Sequence, residues 1–245
     1  MSDLLDFTIA AHGGMRRWEQ IQTCTAHLTV TGPLLAMKGI AGILGQTGGD
    51  YVFRGDAHTQ RVMITPFKPA GRHGVFAPDR TALETDEGHL IEERSNPRAH
   101  FAGYTRQTPW DDLDLIYFVS YASWNYLTTP FLLARPNITV EEGEPWQEDG
   151  QIWRSLQVVF PDTIATHTTE QVFYFDDRGL LRRIDYAVEI VGSLPVAHYV
   201  DDYRECDAIM VPTRRRVFAR QPDGRADRSR MSFAIDVVGE VTFGS

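Results

Sequence analysis

Four successive stretches of alternating side chains between Ala165 and Arg216 constrain this chain more than any other feature. Between the first two lie Asp176, Asp177, Arg178 and Gly179, a hairpin turn with glycine where a positive φ is most easily accepted. The flanking strands therefore pair. Strand side chains alternate between faces, so parity sorts the run into sets. His167, Thr169, Gln171, Phe173 and Phe175 share one face of the first stretch; Arg183 and Asp185 share one face of the second, opposite Ile184, Tyr186, Val188 and Ile190. His198, Val200, Asp202 and Arg204 fall together on the third, and Thr213, Arg215 and Val217 on the fourth. If the half-polar sets share one side, His167, Gln171, Arg183, Asp185, His198 and Arg215 form a cluster. Such a cluster is either the solvated face of an antiparallel sheet or the lining of a cavity. The mixture of imidazole, amide, guanidinium and carboxylate among aromatics favours the cavity.

The rest of the chain is consistent with one large β-rich domain spanning 1–245. At 245 residues and 42% hydrophobic it can bury a substantial core. The net charge of −9 opposes nucleic acid or an anionic membrane as principal partner, despite seven arginines between Arg214 and Arg230. No apolar run reaches the roughly 20 residues of a membrane span, and MSDLLDFTIAAHGG lacks the regions of a signal peptide, so a soluble, cytoplasmic protein is expected. Cys24 and Cys206 are too few for a disulfide framework, and reduced thiols are the simpler expectation.

In chain order, an amphipathic helix is expected over 3–12, with Ser2 as N-cap and Gly13-Gly14 ending it, then a helical turn with Trp18 and Ile21. Strands are expected at 23–31, 38–45, 50–56, 60–65, 74–77, 81–85 and 89–94, separated by Gly, Pro, Asp and Asn at meander spacing. The one long helix is expected over 110–134. It follows Pro109, carries Asp111, Asp112 and Asp114 at its positive end, and is apolar nearly all round, so it must be covered on several sides. Strands resume near 138–142 and 151–160, continue through the four-stretch run, and end with 231–243. The expected architecture is a single curved antiparallel sheet of about nine to eleven strands with the 110–134 helix on its concave side.

A helix followed by Gly13, Gly14, Trp18 and Ile21 (GG-x-x-x-W-x-x-I), then antiparallel strands, an aromatic helical insertion after Pro109 and returning hairpins resembles the LolA-like lipoprotein-carrier superfamily. The resemblance implies an unclosed half-barrel whose concave side is covered by helices and holds an apolar ligand. Two departures stand out: the chain shows no export signal, and its expected concave face carries His, Arg, Asp and Gln that an acyl-chain carrier does not need. Lipoprotein sorting is therefore not carried over.

Motifs for familiar chemistry are missing. The eight histidines show no zinc-motif spacing, and there is no Gly-x-Ser-x-Gly elbow, phosphate loop or dinucleotide fingerprint. No metal or other cofactor is expected. Acid–base chemistry or simple binding remains. His167 and His198 are the candidate acid and base, Asp185 the candidate orienting group, and Arg183 a holder of a developing anion. Tyr117, Tyr121, Trp124, Gln171, Phe173 and Arg215 are the candidate ligand contacts. Two classes stay open: a cofactor-independent lyase or isomerase (isomerisation, cyclisation or elimination) acting on a small hydrophobic molecule, and a non-catalytic carrier of one. Oligomeric state is not readable from the sequence.

Overall fold

The computed structural model describes residues 3–44 and 49–245. Its helices are α1 (Asp3–Ala11), α2 (Met15–Trp18), α3 (Pro33–Met37), α4 (Pro97–His100) and α5 (Asp112–Thr128). Its strands are β1 (Thr23–Thr31), β2 (Asp50–Asp56), β3 (Val62–Phe67), β4 (Arg72–Ala77), β5 (Arg80–Thr85), β6 (Leu90–Ser95), β7 (Thr139–Glu148), β8 (Gln151–Val159), β9 (Glu170–Phe175), β10 (Leu181–Val188), β11 (Leu194–Cys206), β12 (Ile209–Arg220) and β13 (Ala226–Gly244). All thirteen form one antiparallel sheet in the order β6-β5-β4-β3-β2-β1-β13-β12-β11-β10-β9-β8-β7. Every neighbour is a sequence neighbour except at the centre, where β1 pairs with β13. The ends do not pair, so the sheet is an open half-barrel. The expected segments near 60–65, 74–77, 81–85 and 89–94 all join it as β3 to β6, and the sheet has thirteen strands where about nine to eleven were expected.

Helix α5 fills the half-barrel. A reciprocal cap starts it: Asp114 N–H donates to Asp111 Oδ1 (2.9 Å) while the Asp114 carboxylate accepts from Asp111 N–H (3.4 Å). Arg94 of β6 ties both carboxylates, at 2.6 Å and 2.8 Å. The helix ends at Thr128, inside the expected 110–134 segment, because Pro130 lacks an N–H and holds Thr129 extended; a single 3₁₀ turn, Phe131–Ala134, follows. Residues 113–128 are all buried, as a helix apolar on every side requires. On one flank α5 meets β2 to β5, where a Cβ on Gly74 would stand 2.7 Å from Ile116, so glycine permits the close approach. On the other flank Phe118 packs edge-on against Phe233 of β13 at 5.4 Å.

At the N-terminus, Gly13 ends α1 with φ +120°, and the place of a Cβ is taken by the Ala208 carbonyl oxygen at 2.2 Å. The α1 end is thereby docked on the β11–β12 turn, where Met210 N–H donates to His12 O (3.1 Å). Trp18 stacks on Phe131 at 4.5 Å. The expected strand at 38–45 is not one. After α3, residues 38–44 turn at Gly39 and Gly42, both with positive φ, and only Leu44 bridges to Phe67; residue 45 lies outside the described residues. Ser2, the expected N-cap, also lies outside them. Cys24 and Cys206 are free and buried. Among the described residues, no helix is long and apolar enough to cross a membrane. The edge strands β6 and β7 carry Glu92, Glu93, Arg94, Glu141, Glu142 and Pro145, which discourage further strand addition.

Candidate functional site

His167 sits not on a strand but in the loop between β8 and β9, and that loop is clamped from three directions. Gln60 gives and takes hydrogen bonds with the Ala165 backbone (2.9 Å and 2.7 Å), and Asn125 of α5 donates to Ala165 O (3.0 Å). Arg98 of α4 donates to the carbonyls of Thr166 and His167 and pairs with Glu189. Gln171 braces the same loop through Thr168 O (3.0 Å). The imidazole is thus fixed against α5, where it lies between two phenols: Tyr121 OH at Nδ1 (2.9 Å) and Tyr126 OH at Nε2 (2.6 Å). From Tyr126 the chain of contacts continues to Tyr186 OH (3.1 Å) and on to His198 Nδ1 (3.2 Å). His167 also stacks flat on Tyr186, at 4.3 Å and 2°.

Register decides which residues join this network. Ile184 pairs with His198, and Val200 with Arg215, so His198, Arg215, Ile184 and Tyr186 share the inner face. Arg183 pairs with Tyr199 and lies on the opposite, outer face together with Asp185. The two residues expected to join the histidines therefore do not. Arg183 instead binds Asp185 through two hydrogen bonds (2.6 Å and 2.8 Å), Glu148 (2.9 Å) and the Gly224 carbonyl, beneath the ring of Trp146. Tyr199 donates to Glu148 (2.6 Å), and Arg228 and Arg220 close the edges.

Ligand space follows the inner face. A cavity of about 30 Å³ is lined by Leu34, Met37, Arg106, Phe118, Tyr126, His167, Tyr186 and apolar side chains of β10 to β13. A second of about 10 Å³ lies across Tyr126, beside Ser123, Thr213 and Arg215. Tyr117, Tyr121, Trp124 and Phe173, expected as ligand contacts, line neither. Tyr117 packs between Phe76 and Phe101, Tyr121 turns to His167, Trp124 donates to Asp56 O (2.8 Å), and Phe173 packs near Phe160. Helical rotation brings Phe118 and Tyr126 to the space instead. Neither Phe118 nor Tyr186 is marked out by polar content. The signal for Tyr186 was its place in the apolar set of β10, which is the set that meets the imidazoles.

The network is neutral. Burial, and then Arg98, push the His167 pKa down to about 3; burial, Arg215 and His167 hold His198 well below its ordinary value. Burial raises Tyr126 to about 12, and Tyr121 and Tyr186 are raised well above the usual phenol range by the same cause. A neutral imidazole donates from one nitrogen and accepts at the other, so the chain has two senses. In one, Tyr121 donates to His167 Nδ1 and each later hydroxyl donates onward, leaving His198 Nε2 a donor. In the other, every bond reverses and His198 Nε2 becomes an acceptor. That nitrogen is buried and has no hydrogen-bond partner among the described residues.

His100, Asp111 and Asp114 also converge, but the two carboxylates are already held by Arg94.

The fold and site define an open half-barrel enclosing a helix and a small inner cavity, the architecture that the resemblance carried in part by Gly13, Gly14, Trp18 and Ile21 implies. No protein-family signature matches the chain, and no curated protein matches its sequence. Among solved structures it is similar to a LolA superfamily protein from Nitrosomonas europaea (7% identity, TM-score 0.48, covering 94% of this chain and 92% of the other). It is also similar to a DUF1329 family protein from Desulfovibrio piger (12%, 0.49, 98% and 91%). A third is an outer membrane lipoprotein-sorting protein domain from Vibrio parahaemolyticus (10%, 0.49, 98% and 91%).

Proposed function

We propose that this protein binds a small apolar or aromatic molecule inside the half-barrel, between α5 and strands β10 to β13. The observation that carries this reading is the cavity that runs inward from Leu34, Met37 and Arg106. Its wall is apolar except where Arg106, Tyr126, His167, Tyr186 and Ser232 contribute polar groups, the composition of a small-molecule site. At about 30 Å³ the space holds about one water molecule, so a ligand enters by displacing side chains at the half-exposed rim formed by Met37 and Arg106. Binding of 1-decanol, followed by calorimetry, tests this. Met37→Trp plugs the rim without touching the core and is expected to weaken binding at least tenfold, whereas Met63→Trp on the far surface changes it less than twofold. No heat of binding in the unaltered protein sinks the reading.

A second reading keeps the histidines as acid and base in cofactor-independent chemistry on the bound molecule. It is favoured by one observation, the reversible chain Tyr121–His167–Tyr126–Tyr186–His198, because reversing its bonds moves a proton along the cavity wall without leaving a charge on either imidazole. A base with a pKa of about 3 is weak by itself, so the tyrosines must share the work. Its signature is protein-dependent deuterium incorporation into a bound carbonyl compound, lost in His167→Gln while binding persists. Unchanged incorporation in that variant removes His167 from the chemistry, and no incorporation in the unaltered protein leaves the carrier alone standing.

A further inference from the structure

Arg215 is a buried inner-face charge for which the described residues supply no counter-ion. Its side chain is 5% exposed, it forms no salt bridge among the described residues, and its only hydrogen bond runs from Nη2 to Tyr126 O (3.0 Å). The guanidinium lies over the Tyr126 ring at 4.6 Å, and Nη1 has no partner among the described residues. The contrast with Arg183, held by two carboxylates on the other face of the same sheet, is direct. A buried cation without an anion is costly, and burial accordingly pushes the Arg215 pKa down. Two pairs along from Arg215 in the β11–β12 register stands His198, whose Nε2 is also unpartnered. The smaller cavity opens at Arg215 beside the hydroxyl-bearing Ser123 and Thr213, and Tyr126 is the wall it shares with the larger one.

We propose that Arg215 seats the carboxylate of an amphiphilic ligand whose apolar part lies in the larger cavity. This rests on the binding reading above and adds the head group to it. A guanidinium offers a planar fork that matches one carboxylate, and His198 Nε2–H supplies a further donor when the tyrosine chain runs toward it. One cation and one neutral donor suit a singly charged head; a phosphate dianion would leave charge uncompensated. The head passes over the Tyr126 ring, so Tyr126 moves when the ligand enters.

The probes are decanoate, 1-decanol and decyl phosphate, titrated at pH 7.5 into the unaltered protein and into Arg215→Met. Decanoate is expected to bind at least tenfold more tightly than 1-decanol. Arg215→Met should erase that preference while keeping 1-decanol binding, which also shows that the variant is folded, and Arg215→Lys should restore part of it. The melting temperature of Arg215→Met should rise, since an uncompensated charge has been replaced by an apolar chain. Equal binding of decanoate and 1-decanol in the unaltered protein overturns the carboxylate seat but leaves the apolar site. Tighter binding of decyl phosphate, lost in Arg215→Met, makes the head group a phosphate and overturns the carboxylate. If no probe binds, both this proposal and the binding reading fall.

Discussion

Strands β10 and β11 carry a buried polar network on each face, and the two are built on opposite principles. Outside, Arg183 is matched by Asp185 and Glu148, with Arg220 and Arg228 at the margins, so nearly every charge has a near partner. Burial raises the Asp185 carboxyl against the pull of Arg183, while hydrogen bonds from Tyr199, Trp146 and Arg183 outweigh burial at Glu148 and lower it. Inside, imidazoles and phenols carry no charge, and the buried cation Arg215 is unmatched among the described residues. A network whose charges cancel holds strands together; one made of neutral, reversible donors keeps its options for something that arrives. The outer cluster is therefore assigned to stability, and the inner one is the place where we propose that the ligand binds.

Acid separates the two faces most sharply. His12, His167 and His198 are buried and neutral, with His12 pushed down to about 4, chiefly by burial, and His167 to about 3. A histidine whose folded pKa is depressed contributes stability that is present above about pH 6.5 and is lost as pH falls, because only the unfolded chain takes the proton. Each such group costs up to about 1.4 kcal/mol per pH unit once the unfolded histidine is protonated, so the three together remove about 5 kcal/mol between pH 6.5 and 5. Urea unfolding at pH 7, 6 and 5 measures the slope, and His167→Phe should shallow it by about 1.4 kcal/mol per unit. A flat profile would mean the inner imidazoles are not held neutral.

The outer face is broken by Arg183→Met, which strands Asp185 and Glu148 in the protein. A loss of about 3 to 5 kcal/mol in urea unfolding is expected at pH 7, with 1-decanol affinity nearly unchanged in the surviving folded protein. A cost under about 1 kcal/mol would show that the outer pairing is as dispensable as an exposed ion pair. The smallest effects mark the boundary of the inner site. His58, on the Ile21 carbonyl (2.7 Å), and His73, beside Glu84 and Asp86, lie away from the cavity. His58→Ala and His73→Ala should change 1-decanol affinity less than twofold in the same titration.

How much of this was legible in the sequence differs between fold and site. The antiparallel sheet and the enclosed helix were, because the Asp176–Gly179 turn and an all-round apolar segment behind Asp111 act locally, while the openness of the sheet came only from the resemblance carried by Gly13, Gly14, Trp18 and Ile21. The site was legible only up to a choice that locality cannot make. Parity divides each strand into two sets, but which set meets which depends on register, and Ile184 opposite His198 sends Arg183 to the far face. His167 escaped parity altogether, since its position is set by Gln60, Arg98 and Asn125 from distant parts of the chain. The glycine-rich stretch from Lys38 reads as a flat strand before a turn, but over 38–44 Gly39 and Gly42 with positive φ already turn the chain.

The pairing of β1 with β13 at the middle of the sheet, sealed where Gln22 N–H meets Gly244 O at 2.7 Å, bears on how the chain is made. During synthesis β1 leaves the ribosome more than 200 residues ahead of its partner, and one of its edges stays unpaired until the last strand arrives. A nascent chain halted near residue 225 would hold two partial sheets, each with an open inner edge and apolar side chains awaiting a neighbour. Strand β13 thus acts as a zipper that joins both halves, and the sheet is completed only once β13 has been released.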